Sequence, residues 1–269
     1  MLRQMRRYAS VAVALVAAAV LAACGSSSSR ASASASAASG GAKPDLTVSA
    51  AASLKQAFTN YGQQFSAANS RFSFAGSDML AAQIEQGVKP DVFAAANTKL
   101  PDMLFAKGMV AKPVTFAANK LVLAVPAGSS KVSSLADAEK AGVTIAVGSA
   151  TVPIGTYTRK VLAKLGPAQS SKILHNVRSE EPDVSGIVGK LTEGAVNAGF
   201  TYLTDVKATD GKLKAIELPA SLQPVVAYAA AVVKGAPHPA QAQQFIAGLL
   251  SGQGRADLLQ AGFLPPPLK

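Results

Sequence analysis

Two serines stand where an extended run gives way to a helical pattern. Residues 48–54 read Val-Ser-Ala-Ala-Ala-Ser-Leu, and residues 74–84 read Phe-Ala-Gly-Ser-Asp-Met-Leu-Ala-Ala-Gln-Ile. A serine at such a junction offers a hydroxyl beside the N–H groups of a helix start, which have no partner within the helix. That combination holds an anion without any cationic side chain. The chain repeats this strand-to-helix-start design at several later points. Taken singly, each residue has a plainer role. Ser53 and Ser77 serve as helix caps, Pro153 as a helix-start residue, Val184 as a core side chain and Tyr202 as ordinary packing. Only their joint recurrence points to a ligand.

Positioning such junctions requires strands alternating with helices. Strands are expected at 46–50, 72–75, 91–95, 120–125, 143–147, 173–177, 198–202, 214–218 and 225–233. Helical patterns fill 54–67, 79–86, a stretch ending near Ala106, 135–140, 157–165, 184–191, 240–250 and 255–260. This alternation predicts α/β architecture rich in parallel strands. The apolar runs 120–125 and 225–233 have the character of crossings between two lobes. They divide the chain into a discontinuous first lobe, 44–122 and 228–269, and a continuous second lobe, 123–227. Ligands of open α/β sheets lie at the carboxyl ends of the strands, so two facing lobes enclose a cleft walled by helix N-termini.

The front of the chain is of another kind. Arg3, Arg6 and Arg7 precede a short apolar stretch, 11–21, that is too short to span a bilayer. Residues 1–23 therefore read as an export signal. They end in Leu21-Ala22-Ala23-Cys24-Gly25, which resembles the lipobox of bacterial lipoproteins, with Cys24 as the lipid-modified residue. Cleavage near Ala23 with Cys24 left as a free thiol is the alternative. Residues 24–43 are dominated by Ser, Ala and Gly and read as a flexible tether. With a single cysteine there is no internal disulfide. The net charge is +11, and losing the three arginines of residues 1–23 brings it to +8. The lysines are scattered and Trp is absent, so a nucleic-acid partner is not expected.

Six segments in order resemble the molybdate-binding proteins, the substrate-binding components of molybdate ABC importers. They are Ala51-Ala52-Ser53-Leu54, Phe74-Ala75-Gly76-Ser77, Pro90-Asp91-Val92-Phe93, Val152-Pro153-Ile154-Gly155-Thr156-Tyr157, Asp183-Val184-Ser185-Gly186 and Gly199-Phe200-Thr201-Tyr202-Leu203-Thr204-Asp205. The resemblance covers nearly all of 45–263. It implies the two-lobed periplasmic-binding-protein fold, each lobe a mixed, mainly parallel sheet flanked by helices. It implies hydroxyl donors at Ser53 and Ser77, backbone amide donors at Ile154 and Val184, and a phenol donor at Tyr202. It further implies a monomer held outside the cytosol, in the periplasm or by a lipid anchor. Molybdate or tungstate would be its ligand, and a membrane permease with its ATPase its partners. No cofactor or catalytic residue is implied, and no metal beyond the oxyanion itself.

The donor set suits that ligand on general grounds. A tetrahedral dianion presents four oxygens and no proton, and wants donors only. One position departs from the family pattern, which has a hydroxyl residue where this chain has Asp78. Facing outward, the acid favours the helix dipole, and this orientation is the one expected. Facing inward, it would repel a dianion and suit a protonated ligand such as hydrogen phosphate, so sulfate or phosphate is the alternative ligand. An enzyme is not expected. His175 and His238 are the only histidines, and no nucleophile elbow, phosphate loop or metal-ligand spacing is present.

Overall fold

The computed structural model describes residues 43–267. The expected signal segment, tether and Cys24 lie outside the described residues. In chain order the strands are β1 (Asp45–Ala51), β2 (Asn69–Ala75), β3 (Val92–Ala95), β4 (Val114–Asn119), β5 (Leu121–Pro126), β6 (Ile145–Gly148), β7 (Val177–Glu181), β8 (Ala198–Tyr202), β9 (Leu213–Glu217) and β10 (Val226–Val232). The helices are α1 (Lys55–Gln64), α2 (Ser77–Glu85), α3 (Lys99–Ala106), α4 (Pro153–Leu165), α5 (Pro167–His175), α6 (Val184–Thr192), α7 (Leu203–Lys207), α8 (Pro239–Leu250) and α9 (Gln253–Ala261).

The strands form two five-stranded sheets, ordered β2-β1-β3-β10-β4 and β7-β6-β8-β5-β9. The two repeat one plan. In each, three neighbouring strands run parallel, and the fourth, β10 or β5, runs antiparallel to both of its neighbours. The parallel strands are joined through helices, which cover the sheet faces, as parallel pairing requires. Two lobes of mixed sheet and flanking helices result.

The chain leaves the first sheet at Asn119, enters the second at Leu121, and returns between Glu217 and Val226. The two crossing segments are clasped together. The Gln223 side-chain amide donates to the Leu121 carbonyl at 2.8 Å and accepts the Leu121 N–H at 3.3 Å. Phe58 of α1, Phe116 of β4 and Phe245 of α8 pack in the core of the first lobe, with the Phe116 and Phe245 ring centroids 6.0 and 5.5 Å from that of Phe58.

Three local expectations differ from the structure. Residues 173–175 are helical, not extended, and the strand begins only at Val177. Pro167, following Gly166 at φ +86°, restarts a helix that runs to His175 and buries Ile173. The apolar alternation around Ile173 is therefore one helical face, not a strand. Strand β4 was not expected, because its Val-Thr-Phe-Ala-Ala-Asn run carries little pattern of its own and is fixed by pairing with β10. Strand β2 begins at Asn69, earlier than its apolar residues indicate, because it pairs with β1 along its whole length.

Candidate functional site

Ser53 lies in the 3-10 turn Ala52–Leu54 that follows β1 and leads into α1. Ser77 is the first residue of α2, directly after β2. Both belong to the first lobe and are buried. On the second lobe, Ile154 is the second residue of α4 and Val184 the first of α6, so their N–H groups are among those a helix start leaves without an intrahelical acceptor. Tyr202 ends β8. The structure brings all five onto the wall of one small cavity between the lobes, of about 10 Å³. That is about the free volume one water molecule needs, and it is too small for an organic solute.

Local sequence explains each placement. A Cβ on Gly155 would overlap the carbonyl oxygens of Gly148 and Ser149, so only glycine lets the start of α4 press against the end of β6. Pro153 opens that helix with no N–H to satisfy. Asp183 caps α6, its Oδ1 accepting the N–H of Ser185 at 2.7 Å and of Gly186 at 3.2 Å. The capping carboxylate takes those two amides and leaves the Val184 N–H to the cavity side.

The hydroxyls are set up as donors. Ser77 Oγ accepts the Ala96 N–H at 3.1 Å, which leaves the serine proton for another acceptor. Ser53 Oγ lies 2.9 Å from the Tyr228 hydroxyl. The Tyr202 hydroxyl is buried and has no hydrogen-bond partner among the described residues. Burial, and then the neighbouring Tyr228, Tyr157 and Asp205, push its pKa well above the ordinary phenol value, so it keeps its proton. Its ring stands edge-on to Tyr157 and Tyr228, at 6.4 and 5.9 Å between centroids. No lysine, arginine or histidine lines the cavity.

The match to known proteins extends over this whole arrangement. Residues 46–264 fit the model of the bacterial extracellular solute-binding proteins. The chain belongs to that family. A relative from Mycobacterium tuberculosis (strain H37Rv), the molybdate-binding protein ModA, is 37% identical over 227 residues, covering 82% of this chain and 85% of the relative. The periplasmic molybdate-binding protein of Azotobacter vinelandii superposes with a TM-score of 0.75 at 22% identity, over 82% of this chain and 100% of that one. The sulfate-binding protein SubI of M. tuberculosis superposes nearly as well, with a TM-score of 0.74 at 16% identity over 82% and 87%. The two-lobed fold is thus shared by binders of different oxyanions.

In this solute-binding protein the Asp78 carboxylate is turned away from the cavity, toward the second lobe. It does not line the cavity. Its Oδ1 accepts its neighbour's N–H, from Met79, at 2.9 Å, and its Oδ2 accepts the Thr151 hydroxyl of the second lobe at 2.5 Å. A larger cavity of about 390 Å³ adjoins the small one through Ala52 and Ser53, and Lys55, Asn60, Thr204 and Asp205 are on its wall. Its wall also carries the donor side chains of Gln56 and Thr59.

Four participants were not evident from sequence. Asn119, Thr151, Gly76 and Tyr228 all bear on the cavity through contacts 73 or more residues apart along the chain, the Asn119–Tyr228 pair being separated by 109. Gly76 alone had a signal, its place beside Ser77 in a strand-to-helix junction. Tyr228 sits in an apolar strand, where a tyrosine gives no hint of its partner.

Proposed function

We propose that this chain is the extracytoplasmic molybdate-binding component of an ABC importer, and that Ser53, Ser77, Tyr202 and the amides of Ile154 and Val184 hold the ion. The observation that carries this reading is the Tyr202 hydroxyl, a buried donor without a partner, on one wall with two serines whose oxygens already accept or pair elsewhere. A dianion with no proton is the complement of such a surface, because it can only accept. Helix starts at α2, α4 and α6 add about half a positive charge each. Charge-assisted bonds of about 1.5–3 kcal/mol each, less ordering and closure, place the affinity on the order of −8 to −11 kcal/mol.

With Ser53 and Ser77 on one lobe and Ile154, Val184 and Tyr202 on the other, the full donor set exists only when the lobes close. Binding and hinge closure are therefore one event, and the closed form is what a permease would receive. Export by residues 1–23 and anchoring through Cys24 place the protein at the outer face of a membrane. No helix among the described residues is long and apolar enough to cross one. The protein acts as a monomer, binds tungstate much as it binds molybdate, and carries out no catalysis.

Sulfate is the second reading, favoured by the close superposition on a sulfate-binding protein. It has the same charge and shape as molybdate and shorter bonds. Titration calorimetry of the protein with molybdate, tungstate, sulfate and phosphate separates them. The expected result is one ion per chain for the first two, with sulfate and phosphate at least roughly a hundredfold weaker. Equal or tighter sulfate or phosphate binding would overturn the choice of ligand. Replacing both Ser53 and Ser77 by alanine is expected to abolish binding with the fold intact, and retained affinity would mean the ion lies elsewhere.

A further inference from the structure

The two serines are oriented by different means. Ser77 receives a backbone N–H, that of Ala96, so its orientation follows from the fold alone. Ser53 depends on side chains. Its Oγ lies 2.9 Å from the Tyr228 hydroxyl, and either oxygen could be the donor. What stands behind Tyr228 decides the direction.

Asn119 ends β4, at the crossing between the lobes, and is buried. Its Oδ1 accepts the Lys120 N–H at 2.9 Å, which fixes which end of the amide is oxygen. The nitrogen end, Nδ2, therefore faces the other way. It donates to Thr204 Oγ1 at 2.8 Å and to the Tyr228 hydroxyl at 3.4 Å. The second bond is long and weak, but its polarity is unambiguous, because an amide nitrogen donates and does not accept. Tyr228 cannot give its proton to Asn119. Its side chain is fully buried, and Ser53 is its other polar partner among the described residues. The phenol proton thus goes to Ser53 Oγ, and the serine proton is left for an acceptor other than Tyr228, such as an ion in the small cavity that Ser53 helps to line.

We infer that Asn119 and Tyr228 are positioning residues for the anion site: a one-way chain of donors, Asn119 to Tyr228 to Ser53, holds the Ser53 hydroxyl as a donor to the bound ion. Neither residue lines the cavity. Both act through Ser53. Reversing the chain would turn the serine proton onto Tyr228 and present a lone pair to the anion, which repels it. Through Thr204, two residues past Tyr202, the same Asn119 amide also reaches the lobe that carries the phenol donor. This inference rests on the reading of the small cavity as the oxyanion site.

The test is a double-mutant cycle on molybdate affinity, with Tyr228→Phe, Ser53→Ala and the two combined. Phenylalanine keeps the ring that stands edge-on to Phe263 at 5.2 Å, and thermal melting of each ligand-free variant reports whether the fold holds. Tyr228→Phe is expected to weaken molybdate binding by roughly tenfold, about one ordinary hydrogen bond. In the Ser53→Ala background it is expected to do nothing further, because the residue it acts through is gone. A purely structural role for Tyr228 would weaken binding equally in both backgrounds, and that result overturns the inference, as does wild-type affinity in Tyr228→Phe. If Ser53→Ala alone binds molybdate as the wild type does, the cavity reading itself falls and the inference with it. Should Tyr228→Phe fail to fold, Asn119→Ala leaves the phenol in place and free to accept from Ser53. Because it also breaks the bond to Thr204, it is run beside Thr204→Val. A loss beyond that of Thr204→Val is expected to vanish in the Ser53→Ala background, and its persistence there overturns the inference.

Discussion

The Thr151 hydroxyl donates to Asp78 Oδ2 at 2.5 Å, joining the second lobe to the first beside the small cavity. This single bond explains how an acid can sit one residue after Ser77 without opposing an anion. Its two oxygens are turned to Met79 N–H and to Thr151, on the outer side of the helix start. The carboxylate that breaks the family pattern is a latch between lobes.

A latch of this kind exists only in the closed form, so breaking it should act on release rather than capture. Asp78→Ser or Thr151→Val is expected to leave molybdate affinity within about tenfold, since an exposed bond of this type is worth about 0.5–1.5 kcal/mol. The change should fall on the dissociation rate, measured by stopped-flow displacement. A large gain in affinity for Asp78→Ser would show instead that the acid faces the ion.

Gly76 gives a second handle on closure. Its backbone, φ −58° and ψ 134°, is one that alanine adopts freely. A Cβ there would nevertheless fall 2.5 Å from the Pro182 carbonyl oxygen and 3.4 Å from Val152, both on the opposite lobe, and 2.9 Å from Asp78 Oδ1, a side-chain atom of its own lobe that can turn aside. Gly76→Ala is therefore expected to leave the open protein intact and obstruct the closed one. Overpacking of about 1–3 kcal/mol corresponds to a loss of about 5–150-fold in affinity, read by calorimetry, with the ligand-free melting temperature unchanged. Unaltered affinity would mean that the lobes can bind the ion without approaching this closely.

Asp205 gives binding a pH dependence. Its Oδ2 accepts the Tyr202 N–H at 3.0 Å, and burial, with a smaller contribution from Asp183, raises its pKa to about 7 against the favourable pull of that amide. A carboxyl raised in the folded state binds protons that the unfolded chain has already released. Its ionisation therefore costs stability as pH rises from about 4 to about 7. The charge it acquires also lies beside the residue that donates to the dianion. Molybdate affinity is expected to fall between about pH 6 and pH 8, and Asp205→Asn, which keeps an acceptor for Tyr202 N–H, should flatten that profile. An unchanged profile in the variant would remove Asp205 as its cause.

The sequence alone determined much of this protein, because the features that make a strand-to-helix junction are local. A serine, a Pro-x-Gly turn or an Asp-capped helix offers its donor within three or four residues, which draws attention to the junctions at Ser53 and Ser77. Ile154, Val184 and Tyr202 are named by the resemblance to the molybdate-binding proteins. Alternating strand and helix patterns likewise announced a two-lobed α/β fold. Where the pattern was weak or ambiguous, at β4 and around Ile173, strand pairing and a helix restarted at Pro167 decided the outcome instead. Only the tertiary structure decided how the donors are aimed and how the lobes meet. The polarity of the Asn119–Tyr228–Ser53 chain, the Asp78–Thr151 latch and the tight fit of Gly76 against Pro182 all join residues distant in the chain. Hydrogen-bond direction and steric clearance are properties of pairs in space, and spacing along one strand or helix does not encode them.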